Sequence, residues 1–83
     1  MSESLDEAWS YTAPDYPVAV AFAHDGRTVA IGDAAGQVVW LDVSTGAELA
    51  SHSADAKGLL ALAWHPTARR LAVGGQSGVV RLY

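Results

Sequence analysis

The sequence predicts an all-β fold made of two similar four-stranded units. Three observations predict it. Turn residues arrive every 5–8 positions, the apolar runs between them are Val-rich and alternate with a period of two, and the chain repeats itself at an offset of 42 residues. At that offset Ala19-Val20-Ala21-Phe22 lies over Ala61-Leu62-Ala63-Trp64, and Val29-Ala30-Ile31-Gly32 lies over Leu71-Ala72-Val73-Gly74. Between residues 18–41 and 60–83, seven of 24 positions are identical without a gap: Ala19, Ala21, Arg27, Ala30, Gly32, Gly36 and Val38. With 16 of 83 residues Ala, some identity comes from composition alone. The paired glycines, and Arg27 over Arg69, fall at the same edges of the same apolar runs, which composition does not explain.

Each element follows in order. The offset also brings Ala8 over Ala50, so the chain is close to two complete units. A loop, Thr12-Ala13-Pro14-Asp15-Tyr16-Pro17, leads to a strand from Val18 to Ala23. There Val18, Val20 and Phe22 point one way, and Ala19, Ala21 and Ala23 the other. Its repeat sets Leu60, Leu62 and Trp64 against Ala61 and Ala63. Both faces are apolar, so each such strand needs cover on both sides, by large groups on one and small groups on the other. Turns at 24–27 and 66–69 precede short strands at 28–32 and 70–74. Tight hairpin loops at 33–36 and 75–78 lead to strands at 37–43 and 79–83. A turn at Ser44-Thr45-Gly46 then leads to a fourth strand at 47–52. Ala favours helices intrinsically, but these turns come too often for helices to grow. A sheet that is apolar on both faces is buried by stacking on further sheets, which is the logic of a β-propeller.

Composition sets the outer limits. The chain has 83 residues and 8.7 kDa, 51% hydrophobic and 17% charged, with no Cys. That is one small domain, neither a disordered tail nor a disulfide scaffold. A chain of this size buries only about 60–65% of its unfolded surface, so oligomerisation or a very tight core has to supplement its stability. A formal charge of -4 argues against a nucleic-acid partner, because few phosphates would be neutralised. No apolar run is longer than Val18 to Ala23, which is far too short to span a membrane. The first seven residues lack a basic segment followed by an apolar one, so no signal peptide is read there, and a cytoplasmic location is expected.

The run Val20-Ala21-Phe22-Ala23-His24-Asp25-Gly26-Arg27-Thr28-Val29-Ala30-Ile31-Gly32, with Gly36-Gln37-Val38-Val39-Trp40-Leu41-Asp42, resembles the WD-repeat β-propeller family. A second copy runs through Leu62-Ala63-Trp64-His65-Pro66, Leu71-Ala72-Val73-Gly74-Gly75 and Gly78-Val79-Val80-Arg81-Leu82-Tyr83. Departures are clear. The family's Trp position holds Leu41 and Tyr83, its turn Asp position holds Ala35 and Ser77, and its loop His has a counterpart in His52 but Ser10 in the first copy. The buried polar network of such repeats therefore does not form here in its usual shape, which also spares the core those polar groups.

The resemblance implies that each repeat begins with the outer strand of the preceding blade. Residues 1–11 become an arm carrying an outer strand for a neighbouring blade, 12–52 a first repeat, and 53–83 a second repeat lacking its own outer strand. Two blades close no ring, so the expectation is two four-stranded blades per chain, closing into a six- or eight-bladed propeller by homo-oligomerisation. Residues 5–11 of one chain would pair with 79–83 of the next. A tetramer is slightly preferred over a trimer, because the resemblance is to a family of large rings. Trp9, Tyr11, Phe22, Trp40, Trp64, Leu82 and Tyr83 are the expected interface residues.

Chemistry finds little foothold. His24, His52 and His65 occupy non-equivalent positions, and no Ser-His-Asp spacing stands out. The glycines at 32, 36, 74, 75 and 78 lie in or beside β-hairpin loops rather than leading from strand to helix, so they form no phosphate cradle. No enzyme, cofactor or metal is expected. The two longer loops and the hairpin loops should emerge together, placing Asp15, Tyr16, Asp33, Asp55, Lys57 and Gln76 on one rim. Its carboxylates would favour a basic peptide. The expected role is a non-enzymatic oligomeric propeller that serves as a protein-interaction scaffold. Two alternatives stay open: a carbohydrate-binding ring of lectin type, and a fragment of a longer WD-repeat protein.

Overall fold

The computed structural model describes residues 7–83. Seven strands follow one another: β1 (Pro17–Phe22), β2 (Thr28–Asp33), β3 (Gln37–Asp42), β4 (Glu48–Ser53), β5 (Leu59–Trp64), β6 (Leu71–Gly75) and β7 (Val80–Leu82). They form two antiparallel sheets, one of four strands in the order β1-β2-β3-β4 and one of three in the order β5-β6-β7. This is the all-β class that the alternating runs predict, with strand ends shifted by a residue or so.

The 42-residue repeat extends to the registers. In the first sheet Ala19 pairs with Gly32, Val20 with Ile31 and Ala21 with Ala30. In the second, Ala61 pairs with Gly74, Leu62 with Val73 and Ala63 with Ala72. Even the irregularity recurs, between Pro17 and Ala19 in one sheet and between Leu59 and Ala61 in the other. The hairpins close in the same way, because Gly36 and Gly78 have φ of 93° and 89°, a conformation that residues with a Cβ rarely adopt.

The sheets meet through their large and small faces. Leu59, Leu62, Trp64, Leu71, Val73 and Tyr83 of the second half cluster with Ala30, Val38 and Trp40 of the first. The sheets approach closely at Gly32: a Cβ there would lie 2.7 Å from Leu59 Cδ1 and 3.4 Å from Leu62 Cδ1. The Trp64 indole Nε1 donates to the Ala21 carbonyl at 2.8 Å, tying β5 to β1. At one edge of this seam the rings of Trp40, His52 and Tyr83 meet, with centroids 4.8–5.6 Å apart.

The arm, read as an outer strand for a neighbouring chain, lies against its own chain here. Residues 7–13 form no strand, and residues 5 and 6 of the expected strand lie outside the described residues. Trp9 and Tyr11 instead pack on the far side of their own first sheet, against Val29, Val39, Leu41, Ile31 and Val43. The apolar side of β2 and β3 is the cover available to the two aromatic rings.

Candidate interaction faces

The loop end comes first. Asp33 closes the first hairpin on itself, since its Oδ1 accepts from the backbone N–H of Ala35 and of Gln37, each at 3.0 Å. The second hairpin has Gly75 at that position, and Asp55 does the equivalent work from the preceding loop. Its Oδ2 accepts from the Ser77 hydroxyl, and its Oδ1 from the Lys57 N–H at 2.9 Å. A side chain at Gly75 would collide with the Asp55 carboxylate, so the absent Cβ and the reaching carboxylate go together. The Ser77 hydrogen bond, then the Lys57 N–H, hold the Asp55 carboxyl below the ordinary carboxylate range. The exchange is written in the repeats: Ala13, Asp33 and Ala35 in one, Asp55, Gly75 and Ser77 in the other.

This changes the expected rim. Asp33 and Asp55 are only 2% and 8% exposed, and their oxygens serve hairpins of their own chain. Neither is a free carboxylate for a basic peptide. Asp15, Tyr16, Lys57 and Gln76 are exposed at this end, Tyr16 by 79%. Asp15 accepts from the Tyr16 N–H at 2.7 Å, and the Gln76 N–H donates to the Gly58 carbonyl at 2.9 Å. A shallow depression of about 410 Å³ beside Arg27 and Asp42 contains a turn in which Asp42 is spent on Ser44 and Thr45. Among the described residues, no group of three or more His, Cys, Asp or Glu side chains could hold a metal. His65 caps its own turn, its Nδ1 accepting from the N–H of Thr67 and of Ala68.

The interface residues divide three ways. Trp40, Trp64 and Tyr83 lie in the seam between the two sheets of one chain, and Trp9 and Tyr11 lie on the first sheet's outer side. Phe22 and Leu82 are 64% and 67% exposed, on opposite ends of the two-sheet stack. Around Phe22 lie Val18 and Val20, 42% and 60% exposed, on the large-residue side of β1. Around Leu82 lie Val80, exposed by 69%, and the small residues Ala61, Ala63, Ala72 and Gly74. Gly74 stands where the repeat places Gly32, yet a Cβ there would meet nothing within 4 Å. The stack thus ends in one large-residue face and one small-residue face, each the counterpart of a face that is joined in the seam.

What these observations define is a small all-β module resembling part of a propeller-type scaffold. The solved structures it resembles include the computationally designed Ika4 protein, at a TM-score of 0.72 and 25% identity over 81% of this chain and 39% of that one. The computationally designed Ika8 protein matches at the same TM-score and identity, over 81% of this chain and 20% of that one. The β-propeller domain of Cps50 (Swd1) from Myceliophteria thermophila matches at a TM-score of 0.73 and 20% identity, over 80% of this chain and 21% of that domain chain. The chain spans between a fifth and two fifths of the length of these structures. No protein-family model matches it, and no curated protein does.

Proposed function

We propose that this chain is a two-blade module that closes head to tail with copies of itself into a β-propeller, and that the ring acts as a non-enzymatic protein-interaction scaffold. The observation that carries the reading is the pair of unjoined faces. Val20 and Phe22 at one end stand where Leu62 and Trp64 stand in the seam. Gly74 at the other end stands where Gly32 receives Leu59 and Leu62. Each face therefore has its complement on a second copy, and a heterologous contact of this kind either closes or runs on into a filament. Whole two-blade chains give six or eight blades, and eight, from four chains, is preferred. Likeness to part of a longer β-propeller domain supports the blade reading; residues 12–52 and 53–83 are its two repeats and 1–11 its arm.

The ring would repeat the exposed Asp15, Tyr16, Lys57 and Gln76 around one end, so a modest contact with a protein or peptide would gain from multivalency. Trp40 and Trp64 are half-buried in the seam rather than exposed for sugar stacking, which favours the protein scaffold over a lectin. The test is the mass in solution of the wild-type chain and of Phe22→Asp. A multiple of 8.7 kDa for the wild type, falling to one chain in the variant, is the expected result. A wild-type chain that stays single at micromolar concentration removes the ring and leaves further blades of a longer chain to cover the two faces.

A further inference from the structure

Equivalent positions of the two repeats are covered by different bodies. Leu71 and Val73, exposed by 0% and 1%, are buried where the second sheet meets the first. The repeat places Val29 and Ile31 at the same positions of the first sheet, with Leu41 in the place of Tyr83. These are covered by Trp9 and Tyr11 of the arm. Beside them the β1 strip of Val18, Val20 and Phe22 stays open. A close-packed face takes one cover at a time, so the arm stands where a second copy would sit.

The arm is held there by definite contacts. Trp9 Nε1 donates to the Val43 carbonyl at 2.6 Å. Its ring lies against Gly46, where a Cβ would fall 2.7–3.0 Å from three ring atoms. The same residues have a second place to go. Ala8, Trp9 and Ser10 lie at the repeat offset from Ala50, Ser51 and His52, which pair with Trp40, Val39 and Val38 of β3. Among the described residues β7 pairs with β6 on one side only, which leaves its outer edge an unfilled strand edge there. Carrying the β3–β4 register across sets Ala8 opposite Leu82, Trp9 opposite Arg81, and Ser10 opposite Val80.

We infer that residues 7–11 are a two-position latch. In the isolated chain they cap the large-residue face of the first sheet; when the small-residue face of a second copy docks there, they are released to complete that same copy's second sheet along β7. The repeat geometry requires the docking face and the β7 edge to belong to one neighbour, so displacement and capture are one event. This rests on the head-to-tail reading and adds a step to it: no arm release, no ring.

A cross-link decides it, in a chain that has no Cys of its own. In Trp9→Cys/Gly46→Cys, a Cβ at position 46 lies 2.9 Å from Trp9 Cγ, one bond from the Cβ of residue 9. The pair is then no farther apart than the Cβ–Cβ range of about 3.5–4.5 Å that a disulfide uses. The strain of a side chain at residue 46 is common to the oxidised and reduced forms. Sedimentation velocity should find the oxidised chain single at 8.7 kDa and the same sample gaining mass by assembly once it is reduced. An oxidised chain that assembles as fully as the reduced one overturns the latch. A second variant, Ala8→Cys/Leu82→Cys, should give a ladder of covalently joined chains on a non-reducing gel. Single chains alone, from a sample that sediments as a multimer, would overturn the capture step. A wild type that never assembles sinks the ring itself, whereas a ring that forms with its arms locked sinks only the latch.

Discussion

Gly32 and Gly74 offer one perturbation in two settings. In Gly32→Ala the new methyl carbon meets Leu59 Cδ1 at 2.7 Å and Leu62 Cδ1 at 3.4 Å. Leu59 is 1% exposed, so its side chain has little room to retreat. Overpacking of this kind costs about 1–3 kcal/mol. Relief of glycine's extra backbone entropy inside a strand returns about 0.5–1 kcal/mol, which leaves a net loss of about 1.2 kcal/mol at the middle of both ranges. In Gly74→Ala the methyl has open space within the chain, so only the small entropic gain of about 0.5–1 kcal/mol acts on the isolated chain. In the proposed ring Gly74 would face Val20 of the next copy, and the whole overpacking cost of about 1–3 kcal/mol would fall on association, roughly 5- to 150-fold in the constant for each seam. Urea unfolding beside sedimentation equilibrium separates the two. Gly32→Ala should lower the unfolding midpoint, and Gly74→Ala should shift assembly to higher concentration while leaving the single chain's stability unharmed. If Gly32→Ala is neutral, the seam described between the sheets is wrong. If Gly74→Ala assembles like the wild type, the small-residue face is not a docking face.

Three further outcomes follow from the same contacts. Trp64→Phe keeps an aromatic ring in the seam but leaves the Ala21 carbonyl without its donor; chemical denaturation should show a loss of about 0.5–1.5 kcal/mol. Asp55 is held by Ser77 and Lys57 and has a depressed folded pKa, so its contribution is present above the unfolded Asp value of about 3.9 and fades as pH falls through the lower folded value. Stability measured from pH 7 down to pH 2 should fall less steeply at the acid end for Asp55→Asn than for the wild type. Gly75→Ala drives a methyl into the Asp55 carboxylate and should lower the thermal midpoint, whereas Gly78→Ser, with nothing within 4 Å, should act only through its left-handed backbone.

The strands were legible because their signals are local. Period-two alternation and closely spaced turns place β1 to β7, and the 42-residue offset anticipates that both sheets share registers. The arm was not legible in the same way. Its offset match to β4 describes a strand that needs a partner edge, and within one chain Trp9 and Tyr11 instead find the apolar side of β2 and β3. Which place they take is a competition between surfaces, and the residues of the arm alone do not encode its outcome. The hairpin role of the two rim carboxylates was not legible for a different reason. Asp33 and Asp55 sit in loops, where Asp reads as exposed polarity, but hairpin N–H groups need acceptors and these two supply them. Comparing the repeats position by position held the clue, since the carboxylate moves from residue 33 to residue 55 as the hairpin position empties to Gly75.

At the centre stands the claim that the two end faces of the stack belong against each other on different copies. Native mass spectrometry of the intact chain at micromolar concentration tests it most directly. One dominant closed species of three or four chains of 8.7 kDa, with four favoured, is the predicted spectrum. A spectrum of single chains, unchanged as concentration rises, contradicts it.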